Sequence, residues 1–122
     1  MKMKLSLFAT IAITALCGAA HAADNEPGDK QQCVRLQAVG QTPVIDDRTI
    51  LIEMKGGREF KRIDLINTCP GLKIQGGFAF DTSTQNICTS NALTVLNRGA
   101  TCIIKDIVTI DKAEATALKA RR

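Results

Sequence analysis

The chain has 122 residues, with 16 Lys and Arg against 12 Asp and Glu, one His, four Phe, and no Trp or Tyr. That length holds one domain, near the lower limit for a single hydrophobic core. The small basic excess and the shortage of stacking rings speak against a nucleic-acid binder, which needs a strong positive field or an aromatic platform.

The first 22 residues read as a cleaved signal peptide. Met1-Lys2-Met3-Lys4 is a short basic leader, and Leu5 to Leu16 is an apolar run broken only by Ser6, Thr10 and Thr14. Gly18-Ala19-Ala20-His21-Ala22 then supplies a small-x-small peptidase site, with Ala20 and Ala22 as its small residues and Ala23 as the new N terminus. About 12 apolar residues fall short of the roughly 20 that a membrane-spanning helix needs, so no transmembrane anchor is expected after cleavage. Cys17 follows Leu16 rather than the small residue that precedes a lipid-modified cysteine. The expected location is periplasmic or secreted, in a Gram-negative bacterium. Cleavage leaves 14 basic and 12 acidic residues, a net charge of +2, with no His and four Cys.

Residues 23–30 are polar, contain Pro27 and Gly28, and predict a flexible lead-in. Residues 31–122 predict a single disulfide-stapled β domain. Cys33 to Leu36 is a short strand, and Val44-Ile45 runs into a turn at Asp46-Asp47. The clearest hairpin spans Arg48 to Ile66. Ile50, Ile52 and Met54 alternate with Leu51, Glu53 and Lys55, and Gly56-Gly57 supplies the positive φ of a tight turn. On the return strand Phe60 has one parity and Ile63 and Leu65 the other, so placing all three in one core requires a bulge near Lys61-Arg62. Cys69-Pro70-Gly71 and Gly76-Gly77 punctuate the chain, and Phe78 and Phe80 share a strand face. Leu93 to Leu96 forms a strand, Asn97-Arg98-Gly99 a turn, and Thr101 to Ile110 a longer strand. Asp111, with Glu114 three residues on, caps a C-terminal helix of about two turns, too short to hold without packing. The fold class is therefore mainly β, a small antiparallel barrel or sandwich, OB-like in one of its forms, with a short C-terminal helix and two disulfides.

Cys33, Cys69, Cys88 and Cys102 are an even set in an exported chain, which favours two disulfides. No Cys-x-x-Cys pair and no histidine of the mature chain offers a zinc knuckle, so no metal or cofactor is expected. Four cysteines allow three pairings. The pairing expected here joins Cys69 to Cys88, around Phe78 and Phe80, and Cys33 to Cys102, first strand to last.

Without an imidazole, the common serine and cysteine hydrolase mechanisms are absent, and no catalytic residues are assigned. Asp46-Asp47 reads as a polar turn, because strand neighbours point to opposite faces. Arg48 is placed to pair with one of these carboxylates. The loop from Asp81 to Asn86 lacks the glycine and the closing acid of a calcium loop and reads as solvated. Asp46, Asp47, Arg48, Arg58 and Arg62 form the candidate surface.

Ile45-Asp46-Asp47-Arg48-Thr49-Ile50, Gly56-Gly57-Arg58-Glu59-Phe60, Cys69-Pro70-Gly71-Leu72 and the later Cys88 and Cys102 together resemble a family of small exported proteobacterial proteins with four cysteines, catalogued as a domain of unknown function. The resemblance covers roughly Cys33 to Ile110. It implies a Gram-negative envelope setting and supplies no activity. Where such relatives carry an acid soon after the third cysteine, this chain has Thr89-Ser90-Asn91. The functional expectation is a non-catalytic module that binds an envelope protein or polymer through a β surface. The alternative is a small envelope enzyme using lysine or converging carboxylates from Asp46, Asp47, Glu53, Asp64, Asp81 and Asp106, acting for instance on cell-wall carbohydrate.

Overall fold

The computed structural model describes residues 26–97 and 99–122. The segment expected to be a signal peptide, with its expected cleavage site, lies outside the described residues, as does Arg98 of the expected turn.

Nine strands and two helices are described: β1 (Lys30–Gln31), β2 (Cys33–Arg35), β3 (Val39–Gln41), β4 (Thr49–Met54), β5 (Phe60–Leu65), α1 (Leu72–Gln75), β6 (Phe78–Asp81), β7 (Asn86–Cys88), β8 (Ala92–Val95), β9 (Thr101–Ile110) and α2 (Lys112–Ala120). A 3₁₀ turn, Leu36–Ala38, joins β2 to β3. The fold is mainly β and antiparallel. The main sheet runs β3-β4-β5-β9-β8-β6, with β1 added on β9, and β2 pairs with β7 alone.

The expected hairpin forms as β4 and β5. Met54 N–H donates to Glu59 O at 3.0 Å across a turn in which Gly56 and Gly57 take φ of 94° and 69°. The bulge expected near Lys61-Arg62 is absent, since the pairs run unbroken from Thr49↔Asp64 to Glu53↔Phe60. No slip is needed because both faces of this hairpin are buried. Ile50, Ile52, Ile63 and Leu65 enter the main core with Ile104 and Ile107. Leu51 and Phe60 enter a second layer with Ile45, Val108, Ile110, Ala115 and Leu118 beneath α2. The register shift lies instead between β5 and β9, where Asp64↔Asp106 is followed by Leu65↔Ile104 and Lys105 is the extra residue.

The C-terminal helix starts as expected, with Asp111 Oδ1 accepting from Glu114 N–H at 2.7 Å. The Glu114 side chain reaches Arg62. Ala115 and Leu118 pack α2 onto the sheet, which answers how so short a helix persists. Helix α1 was not expected from the sequence.

Two corrections concern the ends of the sheet. The lead-in is docked from Gly28 onward: Gly28 N–H donates to Thr109 O at 2.7 Å, and Lys30 and Gln31 pair with Val108 and Ile107. The disulfides also differ from expectation. They join Cys33 to Cys88 and Cys69 to Cys102, not Cys69 to Cys88 and Cys33 to Cys102. The strand expected first, from Cys33, does not lie on the last: it pairs with β7, with Cys33 directly opposite Cys88, and the partner of β9 is Lys30–Gln31 of the lead-in. Cys69 follows β5, and the chain leaving β5 runs beside the start of β9, with Ile66 N–H donating to Ile103 O at 3.0 Å. Strand pairing β5–β9 thus delivers Cys69 to Cys102.

Strands β2 and β3 are consecutive across a 3₁₀ turn, and β6 and β7 are consecutive across residues 82–85. The edges of the main sheet, β3 and β6, therefore continue into the two strands that pair with each other. The curled sheet is zipped at the β2–β7 end. Between β3 and β6 no pairing occurs, and a slit remains.

Candidate functional site

Four of the five residues singled out from sequence are internal tethers. Asp46 Oδ1 accepts from Arg48 N–H at 2.8 Å, closing the turn, and its Oδ2 accepts from Arg121 Nη2 at 3.0 Å. Asp47 Oδ1 accepts from Lys73 N–H at 2.8 Å, satisfying a free amide at the start of α1, while its carbonyl accepts from Cys69 N–H at 2.6 Å. Arg48 does not pair with either neighbouring carboxylate through its side chain. Its guanidinium donates to the carbonyls of Leu65 and Ile66 at 3.2 and 3.1 Å. The segment clamps the start of β4 to the end of β5 and to both helices. Arg62 joins Asp64 at 3.0 Å and Glu114 at 2.7 Å. Partial burial alone would lower its pKa, but the bonds and charges of Asp64 and Glu114 outweigh it and hold the guanidinium above its ordinary value. Arg58 is exposed at the hairpin tip, about 20 Å along β4 from the clamp. The five do not form one surface site.

Of the six carboxylates considered for catalysis, Asp64 and Asp106 are brought opposite each other on adjacent strands. Arg62 and Lys30 flank them. Asp46 is tied to Arg121, Glu53 to Lys119 and Asp81 to Thr94. None of the six lines any of the three described cavities. Among the described residues no group of three or more His, Cys, Asp or Glu is placed to hold a metal ion. In the Asp81–Asn86 loop the Thr82 and Thr84 hydroxyls bond within the loop, Thr82 Oγ1 lying 2.9 Å from Asn86 O.

Three cavities remain. One of about 280 Å³ sits beside the Cys69–Cys102 bridge, between Ile66, Pro70 and Ile103. A second, about 210 Å³, lies beside β2 and is lined by Gln31, Cys33, Arg35, Glu59 and Lys61. Here Lys61 is 2% exposed, its ammonium donating to Glu59 Oε1 at 2.8 Å and to Thr109 Oγ1 at 3.1 Å. Strand alternation puts Lys61 on the face of Ile63 and Leu65, opposite Ile52, and Glu59, two residues earlier on that face, supplies its counter-charge.

The largest of the three, about 390 Å³, is the slit between β3 and β6, lined by Leu36, Val39, Thr42, Phe78 and Phe80. The two rings meet edge to face, 4.9 Å apart, and pack against the main core. Leu96 N–H donates to Gly77 O at 3.0 Å, so by strand alternation the main-chain groups of Gly77, Ala79 and Asp81 face β8. Those of Phe78 and Phe80 face the slit. Sequence reasoning placed the two rings on one face and had no means of seeing that face opened by the parting of two distant strands.

The described residues contain no helix long and apolar enough to cross a membrane. No protein-family profile, no curated protein and no solved structure matches the chain.

Proposed function

We propose that this chain is a non-catalytic module, exported to an oxidising compartment such as the Gram-negative periplasm, that holds an extended segment of an envelope protein along β6. The observation that carries this reading is the slit: an unpaired strand edge, with the backbone groups of Phe78 and Phe80 directed outward, above an apolar floor of Leu36, Val39 and two rings. Strand addition uses these two elements, main-chain bonds for affinity and alternating pockets for side chains. An uncovered edge is otherwise a liability that proteins blunt with charge or proline; β6 has no proline, and its one charge, Asp81 at its end, is held by Thr94. The two disulfides suit an oxidising compartment. Kinship with the exported four-cysteine family fits the same setting and is part of the proposal.

The test is a photo-reactive side chain at exposed Ala79, compared in cells with the same group at exposed Thr116 on α2. The expected result is a polypeptide adduct at position 79 alone. A synthetic peptide of the cross-linked segment should then slow amide exchange at Phe78 and Phe80 by about tenfold or more. Equal labelling at both positions, capture of polysaccharide alone, or no protection by the peptide would overturn the reading.

A further inference from the structure

We propose that the Cys33–Cys88 bridge is a thiol-exchange site. A dithiol reductant opens it while Cys69–Cys102 stays closed, and opening releases β2 and β7 from each other. This inference stands independently of what occupies the slit.

Three observations lead to it. The first is access. Cys33 is exposed; Cys88 and Cys102 are both half-buried, Cys102 at the edge of a cavity, and Cys69 is 0% exposed, so only the Cys33–Cys88 bridge has an exposed member. Exchange requires in-line approach of a thiolate to a sulfur, so exposure decides which bridge an external thiol reaches.

The second is charge. Arg35 lies on the same face of β2 as Cys33, two residues on, and diagonally across the ladder from Cys88. The cavity that Cys33 lines also holds Arg35, Lys61 and Glu59. Lys61 and Glu59 are paired with each other, while Arg35 is exposed, so the guanidinium is the cation placed to steady a departing thiolate.

The third is what each bridge holds. The β2–β7 ladder has three residue pairs, extended by Leu36 N–H to Gln85 O and Thr89 N–H to Gln32 O, both at 2.8 Å. Its buried anchors are Val34 and Ile87. A two-stranded ribbon of this size is marginal on its own, so the covalent bond at its end decides whether it stays zipped. The strands around Cys69–Cys102 belong to the continuous main sheet and do not rely on one bond in this way.

The reaction balances with the dithiol as sole co-reactant. One thiolate of the reductant attacks Cys33 Sγ, forming a mixed disulfide and expelling Cys88 as a thiolate beside Arg35. The second thiol of the reductant attacks its own bonded sulfur and expels Cys33. Two electrons pass to the cysteine pair, the reductant becomes a disulfide, and its two protons end on Cys33 and Cys88.

The experiment uses the oxidised chain, dithiothreitol as probe, timed alkylation with mass mapping, and amide exchange on the product. Cys33 and Cys88 should be alkylated together, at least about tenfold sooner than Cys69 and Cys102. In that product, loss of protection should be confined to residues 33–41 and 78–88. Arg35→Gln should slow opening and Arg35→Lys restore most of the rate, a pattern that a purely structural arginine would not give. Simultaneous opening of both bridges, prior opening of Cys69–Cys102, or loss of protection across β5 and β9 would overturn the proposal. An unchanged rate in Arg35→Gln would overturn the role given to the guanidinium.

Discussion

Cys69–Cys102 and Cys33–Cys88 close chain separations of 33 and 55 residues, which by loop entropy alone contribute about 4 kcal/mol each. Their surroundings nonetheless differ sharply. The first joins the chain leaving β5 to the start of β9, with Cys69 fully buried in the main core and Cys102 packed against it. The second sits at the exposed end of a three-pair ribbon. The contrast teaches that covalent topology does not rank the two regions; the burial around each bond does.

Breaking the central region should have the largest effect. Replacing Cys69 and Cys102 together with Ala removes about 4 kcal/mol of loop entropy, a large share of a small domain's net stability. The expected outcome is a chain with a thermal midpoint lower by about 15–30 °C, read by circular dichroism. If it melts within a few degrees of wild type, the central bridge is not what the burial implies.

A pair of core truncations sharpens the comparison. Ile107→Ala removes a fully buried side chain from β9 and should cost about 2–5 kcal/mol. Val34→Ala in the ribbon should cost about 1–2 kcal/mol, because fewer methyl groups leave and the ribbon can settle. Urea midpoints decide it, and equal costs would erase the distinction between the regions.

The smallest effect belongs to the helix layer. Arg62→Gln should cost about 0.2–1 kcal/mol, the range of partly exposed ion pairs. The Arg62 pKa is raised in the folded state, so its contribution is complete below the ordinary guanidinium value and disappears only as pH climbs through the raised one. The stability gap between wild type and variant should therefore stay flat across the neutral and mildly alkaline range. A gap that closes on that interval would contradict the assignment.

Local signals in the sequence were legible. The alternation from Ile50 to Met54, Gly56-Gly57, the strand from Thr101 to Ile110 and the Asp111 cap each act within a few residues, and each appears in the structure as read. Readings that depended on distant strands failed. The Phe60 parity looked like a reason for a bulge because most of the second hydrophobic layer, Val108, Ile110, Ala115 and Leu118, comes from β9 and α2, and only Leu51 hints at it from within the hairpin. The disulfide pairing went wrong because it depends on strands far apart in sequence, β2 with β7 and β5 with β9. Asp47 looked like a turn residue and is one, but its bond to Lys73 N–H is what organises the unforeseen α1. The slit escaped notice for the same reason, since its walls, residues 36–42 and 78–80, come from opposite halves of the chain.

Strand β9 pairs with β5 along one edge and with β8 and β1 along the other, and it follows all three in the chain. During synthesis the preceding segments can form the β4–β5 hairpin and the β6–β8 pair, but no continuous sheet connects them until residue 101 and beyond emerge. The keystone arrives after the arch. Assembly of the sheet is therefore governed by contacts of long sequence separation, which form slowly.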